Sequence, residues 1–87
     1  MSYEIRLSKR AEKDKSFLKQ AGLEKKAKKL LELLAEDPFA YPPSYEKLIG
    51  DFKGSYSRRI NIQHRLVYDV DEADRIVYVI MMWSHYE

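Results

Sequence analysis

The chain contains no cysteine, so no disulfide can staple it and no thiolate can hold zinc or an iron–sulfur cluster. That suits a reducing cytoplasm, and it leaves the fold resting on its core or on help from a partner. With only two histidines and no sulfur ligand, a zinc site is not expected. No stretch is long and apolar enough to span a bilayer, and the opening Met1-Ser2-Tyr3-Glu4-Ile5-Arg6-Leu7 lacks the apolar centre of a secretion signal, so a soluble protein without membrane contact is expected. There is no internal repeat and no low-complexity segment. The charge is also nearly balanced: a net +2 permits nucleic-acid binding without arguing for it.

What is present suffices for one modest core. The 87 residues allow a single domain, residues 1–87, because a chain this short buries too small a share of its surface for a second lobe. Hydrophobic residues make up 45% and charged residues 34%, the balance of a globular rather than a disordered chain. Charge distribution says more than the total. Lys25, Lys26, Lys28 and Lys29 crowd one stretch, and Asp69, Asp71, Glu72 and Asp74 another. Lysine runs of this kind are usually solvated helix faces, with a phosphate-contacting face as the alternative.

Patterning predicts the elements. Tyr3, Ile5 and Leu7 alternate with Glu4 and Arg6, a short strand with one buried face. Ser8 offers an N-cap for a weakly amphipathic helix from Lys9 to about Gln20, whose apolar members are Ala11, Phe17 and Leu18. Gly22 marks a turn. Leu23, Ala27, Leu30, Leu31 and Leu34 then form the stripe of a second helix, which must stop before Pro38. Residues 38–54 carry all three prolines among aromatic residues and read as an ordered loop containing Glu46. Ser55–Ile60, His64–Val70 and Arg75–Trp83 read as three strands joined by short turns and hence antiparallel. The last is apolar at both parities, which predicts a central strand covered on both faces near its middle.

Parity also locates candidate chemistry, since alternate strand residues face opposite sides. Tyr56, Arg58 and Ile60 share one face of their strand, and Ser57, Arg59 and Asn61 the other. In the next strand Leu66, Tyr68 and Val70 form the apolar parity, so Arg65 turns away from the core with Val67 and Asp69. If the two strands pair as a hairpin, Arg59 and Arg65 project from the same face and could grip a phosphate with planar bidentate bonds. His64 shares parity with Leu66 and reads as a packed histidine. Glu46 taken alone reads as a surface acid, and His85 lies in a terminal segment of the kind that frays. Even so, a carboxylate, a group of arginines and a histidine are what a metal-free enzyme would gather to cleave a phosphodiester.

The segments Glu46-Lys47-Leu48, Gly54-Ser55-Tyr56-Ser57-Arg58-Arg59-Ile60-Asn61 and His64-Arg65-Leu66-Val67-Tyr68, closing on His85-Tyr86, together resemble the Txe/YoeB family of type II toxins, relatives of RelE. The resemblance covers nearly the whole chain, Asp37-Pro38-Phe39 included. It implies an α+β fold of the RelE-like microbial-ribonuclease type, an N-terminal strand and two helices packed on a mainly antiparallel sheet. It further implies an mRNA endoribonuclease that acts on the translating 70S ribosome, needs no metal or other cofactor, and is blocked by a cognate Phd/YefM-type antitoxin. Operator DNA would be reached only through the antitoxin, and homodimerisation of the toxin stays open.

By the same resemblance, Glu46 is the general base that takes the ribose 2′-hydroxyl proton, and Arg65 the cation that stabilises charge on the phosphoryl oxygens. His85 is the general acid that protonates the leaving 5′-oxygen, a role suited to an imidazole with a pKa near about 6.5. Arg59, Tyr86, Lys47 and Trp83 are expected to contact substrate. A 2′-hydroxyl nucleophile makes RNA the substrate and a 2′,3′-cyclic phosphate the first product. The chain departs from the family pattern at three places. Trp83 stands where an arginine is common, Ile49-Gly50 where a lysine is common, with Lys47 or Lys53 as substitutes, and Gln63 where an acid is common. The alternative is a non-catalytic member of the wider RelE/ParE superfamily that binds another target such as gyrase.

Overall fold

The structure, a computed structural model, describes residues 2–50 and 53–83. The chain begins with strand β1 (Glu4–Leu7), followed by helices α1 (Lys9–Gln20) and α2 (Glu24–Glu36). Strands β2 (Glu46–Lys47), β3 (Tyr56–Arg59), β4 (Arg65–Asp71) and β5 (Ile76–Met81) complete it. One five-stranded sheet runs in the order β1-β5-β4-β3-β2, with β1 parallel to β5 and the other neighbours antiparallel. The helix pair supplies the crossover that a parallel β1–β5 pairing requires. Among the described residues no helix is long and apolar enough to cross a membrane.

Local chemistry accounts for the boundaries. The Ser8 Oγ accepts the Ala11 N–H at 3.0 Å, the expected N-cap of α1. At the other end Gly22 adopts a positive φ of 73°, and the Leu23 N–H reaches back to the Leu18 carbonyl at 2.8 Å, closing the helix as a left-handed glycine allows. The apolar stripe of α2 behaves as its spacing predicts: Ala27 and Leu34 are buried, and Leu23, Leu30 and Leu31 pack partly buried beside them. The main core lies between the helices and one face of the sheet, where Ala11, Leu18, Ala27 and Leu34 meet Leu66, Tyr68, Val77 and Val79.

Three details differ from the sequence expectation. The 38–54 segment is not all loop, since Glu46–Lys47 pairs with β3 as an edge strand. β5 does lie inside the sheet, but Tyr78 at its middle is exposed. Among the described residues its second face is covered near its end, where Met81 joins Leu48 and Val67 in a small separate cluster. A β-bulge causes this change. Val67 opposes Met81 while Tyr68 opposes Val79, so β5 carries one extra residue, Ile80, and the side chains beyond it exchange faces.

Candidate active site on the open face of the sheet

The open face is assembled by strand register. Glu46 lies opposite Ser57, Ser57 opposite Val67, and Arg59 opposite Arg65. Directly opposed residues share a face, so Glu46, Ser57, Arg59 and Arg65 emerge together, as the hairpin argument predicted for the two arginines. A terminal nitrogen of Arg65, Nη1, donates to the Glu46 Oε2 at 3.2 Å and to the Ser57 Oγ at 3.1 Å. The Arg65 side chain is only 14% exposed, whereas that of Glu46 is 66% exposed. A guanidinium held by the sheet therefore faces a carboxylate that solvent and ligand can reach. Arg59 and Arg65 are like charges directly across a strand pair, which is unfavourable unless an anion sits between them.

Glu46 owes its place to an adjacent buried cation that the sequence reading had assigned only to a face. Arg58, 1% exposed, projects from the other side of β3 beneath the proline-rich segment. Its guanidinium donates to the carbonyls of Pro38 at 3.0 Å, Ala40 at 2.8 Å and Pro43 at 2.6 Å, and to the Tyr68 hydroxyl at 3.0 Å. It also lies 4.8 Å from the centre of the Tyr45 ring. The Tyr68 hydroxyl in turn donates a hydrogen bond to the Pro38 carbonyl at 2.9 Å. Burial raises the pKa of this phenol above its ordinary value, with the neighbouring Arg58 pulling the other way. Tyr56 packs edge to face with both Phe39 and Tyr45 around the clamp, and those two rings meet at a tilt. The segment so fixed ends where β2 begins, at Glu46. The signal was available in the sequence, because an arginine at the parity of Tyr56 and Ile60 must either be exposed or be fully bonded.

The chain enters and leaves this face beside a stack of rings. His64 is buried and its imidazole stacks on the Trp83 indole at 3.7 Å between centroids, as its parity with Leu66 predicted for a packed histidine. Phe17 of α1 stacks on the indole as well, at 5.8 Å. Trp83, expected to contact substrate, stacks with both of these rings and is partly buried. Lys47 alternates with Glu46 and pairs opposite Tyr56, which sets it on the other side of the sheet edge, away from the Glu46–Arg65 pair. Asp14 was not singled out by the sequence reading, yet it is buried in α1 and accepts backbone N–H groups from Met82 and Trp83. His85 and Tyr86 lie outside the described residues. Among the described residues no three His, Asp or Glu side chains converge as a metal site.

Comparison with known proteins agrees with the fold. Residues 8–86 match the family model of the YoeB-like toxin of bacterial type II toxin–antitoxin systems. The chain is 39% identical over 74 residues to a curated toxin YoeB of Synechocystis, covering 85% of this chain and 77% of that protein. Among solved structures, a YoeB/ParE toxin from Agrobacterium tumefaciens superposes with a TM-score of 0.84 at 30% identity, over 95% of this chain and 99% of that one. A heterotetrameric YoeB–YefM toxin–antitoxin complex from Staphylococcus aureus contains a chain that is 31% identical, with a TM-score of 0.79 over 99% of this chain and 100% of that one.

Proposed function

Because the chain belongs to the family of YoeB-like toxins of bacterial type II toxin–antitoxin systems and has their RelE-like fold, we propose that it is a metal-independent endoribonuclease that cleaves mRNA on the translating ribosome. The observation that carries the proposal is the convergence of Glu46 and Arg65 on one open sheet face, with Arg59 directly opposite Arg65.

In this reading the Glu46 carboxylate takes the proton of a ribose 2′-hydroxyl, and the freed oxygen attacks the adjacent phosphorus. The O2′–P bond forms as the P–O5′ bond breaks. His85 donates the proton that the leaving 5′-oxygen needs, so the products are a 2′,3′-cyclic phosphate and a 5′-hydroxyl end. Negative charge grows on the non-bridging oxygens during this exchange. Arg65, preset by Ser57 and held by the sheet, meets that charge without reorganising. Arg59 binds the same phosphate or its neighbour, which relieves the repulsion between the two guanidinium groups. Tyr86 packs on the nucleotide; Lys47, on the other side of the sheet edge from Glu46, would meet only RNA that wraps around that edge. A Phd/YefM-type antitoxin is the natural partner, since an open sheet face carrying arginines is readily masked by an acidic segment that folds on binding.

The test is cleavage of a defined mRNA in a purified translation system, with the ends mapped in the presence and absence of ribosomes. Wild-type protein should cut only with ribosomes and leave cyclic phosphate ends, whereas Glu46→Gln should bind ribosomes and leave the message intact. Intact transcripts with the wild-type toxin, accompanied by DNA damage in cells, would sink the nuclease reading.

A further inference from the structure

Helix α1 does more than cover the sheet. Its buried face runs Ala11, Asp14, Leu18, and the aspartate is only 4% exposed. An acid in such a place costs desolvation unless it is well bonded. Its Oδ2 accepts two consecutive backbone donors, the Met82 N–H at 3.0 Å and the Trp83 N–H at 3.3 Å. Consecutive N–H groups of a strand point in opposite directions, so one oxygen receives both only where the chain has turned out of β5. The same helix grips the strand just before that turn. The Ser8 N–H donates to the Val79 carbonyl at 2.9 Å, and the Ser8 Oγ donates to the Ile80 carbonyl at 2.6 Å. Phe17 and His64, the latter the neighbour of Arg65, both stack with the Trp83 ring.

We propose that Asp14 is a positioning residue for catalysis: it fixes the backbone at Met82 and Trp83, two residues before His85, and so holds the segment from which the general acid must act. This rests on the reading of His85 as that acid. Asp14 touches no reacting atom, and its effect should appear only in the step that needs a proton delivered.

A leaving group that needs no proton separates this role from a general loosening of the fold. Ribosome-bound mRNA is prepared with the ordinary scissile linkage or with sulfur replacing the leaving 5′-oxygen, whose thiolate departs unprotonated. On ordinary mRNA, Asp14→Ala should cleave at least about tenfold more slowly than wild type, as His85→Ala should. On the sulfur-linked message both variants should recover to within about threefold of wild type. Asp14→Asn keeps the side-chain volume and one acceptor oxygen, should fall between wild type and Asp14→Ala, and carries the test if the alanine variant does not fold. Equal slowing on both messages, or wild-type cleavage of the ordinary one, would overturn the positioning role. If His85→Ala itself were unimpaired, or were not rescued by sulfur, the acid assignment would fail at that control, a result distinguishable from failure of Asp14 alone.

Discussion

Arg58 and Arg59 are adjacent in the chain and stand on opposite faces of the same sheet. Arg58 faces the covered side, where three carbonyls and the Tyr68 hydroxyl engage its donors and almost nothing reaches solvent. Arg59 faces the open side, exposed, with Arg65 directly across from it. The covered side uses a cation to hold a loop. The open side leaves cations underused: among the described residues Arg65 has one ion-pair partner, the mostly exposed Glu46 carboxylate. The same side chain therefore does structural work where its acceptors are fixed, and remains available for a ligand where they are not.

The contrast can be broken or sharpened by substitution. The largest effect is expected at Arg58: Arg58→Ala would orphan three carbonyls and open a cavity, and should lower stability by about 3–5 kcal/mol in urea unfolding. Arg65→Ala should do the reverse. Its mRNA cleavage should drop by roughly 10²–10³-fold while stability moves by less than about 1 kcal/mol. If instead Arg65→Ala unfolded the protein and Arg58→Ala did not, the division of labour between the faces would be wrong.

Tyr68→Phe probes the clamp more gently and should cost about 1–3 kcal/mol, because the Pro38 carbonyl and the Arg58 Nε lose a partner. It also has a pH signature. The folded-state pKa of Tyr68 lies above its unfolded value because of burial, so the folded chain keeps a proton that the unfolded chain releases. That contribution is intact below about pH 10 and is lost as pH rises through the folded pKa. Urea midpoints measured across the alkaline range should therefore fall less steeply in Tyr68→Phe. The smallest effect is expected at Arg59. Arg59→Ala should leave stability within about 0.5 kcal/mol, weaken RNA binding modestly and reduce the salt slope of binding by about 1. An unchanged slope would mean that Arg59 meets no phosphate.

Periodic features were legible in the sequence. The Ser8 cap, the α2 stripe, the antiparallel hairpins and the shared face of Arg59 and Arg65 all follow from spacing, and the structure has them. Features set by distant pairing were not. β2 is two residues long inside a proline-rich segment, and only its registry with Ser57 and Tyr56 makes it a strand. Val67 shares the parity of Arg65, turned away from the main core, yet it is buried, because the bulge brings Met81 onto its side. Asp14 is hidden by its neighbours: Lys13 and Lys15 make it resemble a solvated charge run, although its spacing of three from Ala11 and four from Leu18 puts it on the buried stripe. Asking what an acid on an apolar stripe bonds to would have found it.

The extra residue in β5 makes that strand a ruler for everything downstream. Were Ile80 drawn into regular pairing with Val67 at constant length, the offset between Val67–Met81 and Tyr68–Val79 would vanish, and Met81, Met82 and Trp83 would each trade sides. Met82 and Trp83 would then offer their amides away from the aspartate that receives them. Deleting Ile80 outright would instead leave both pairings in phase, so the strand tolerates the loss of that residue better than the loss of its bulge.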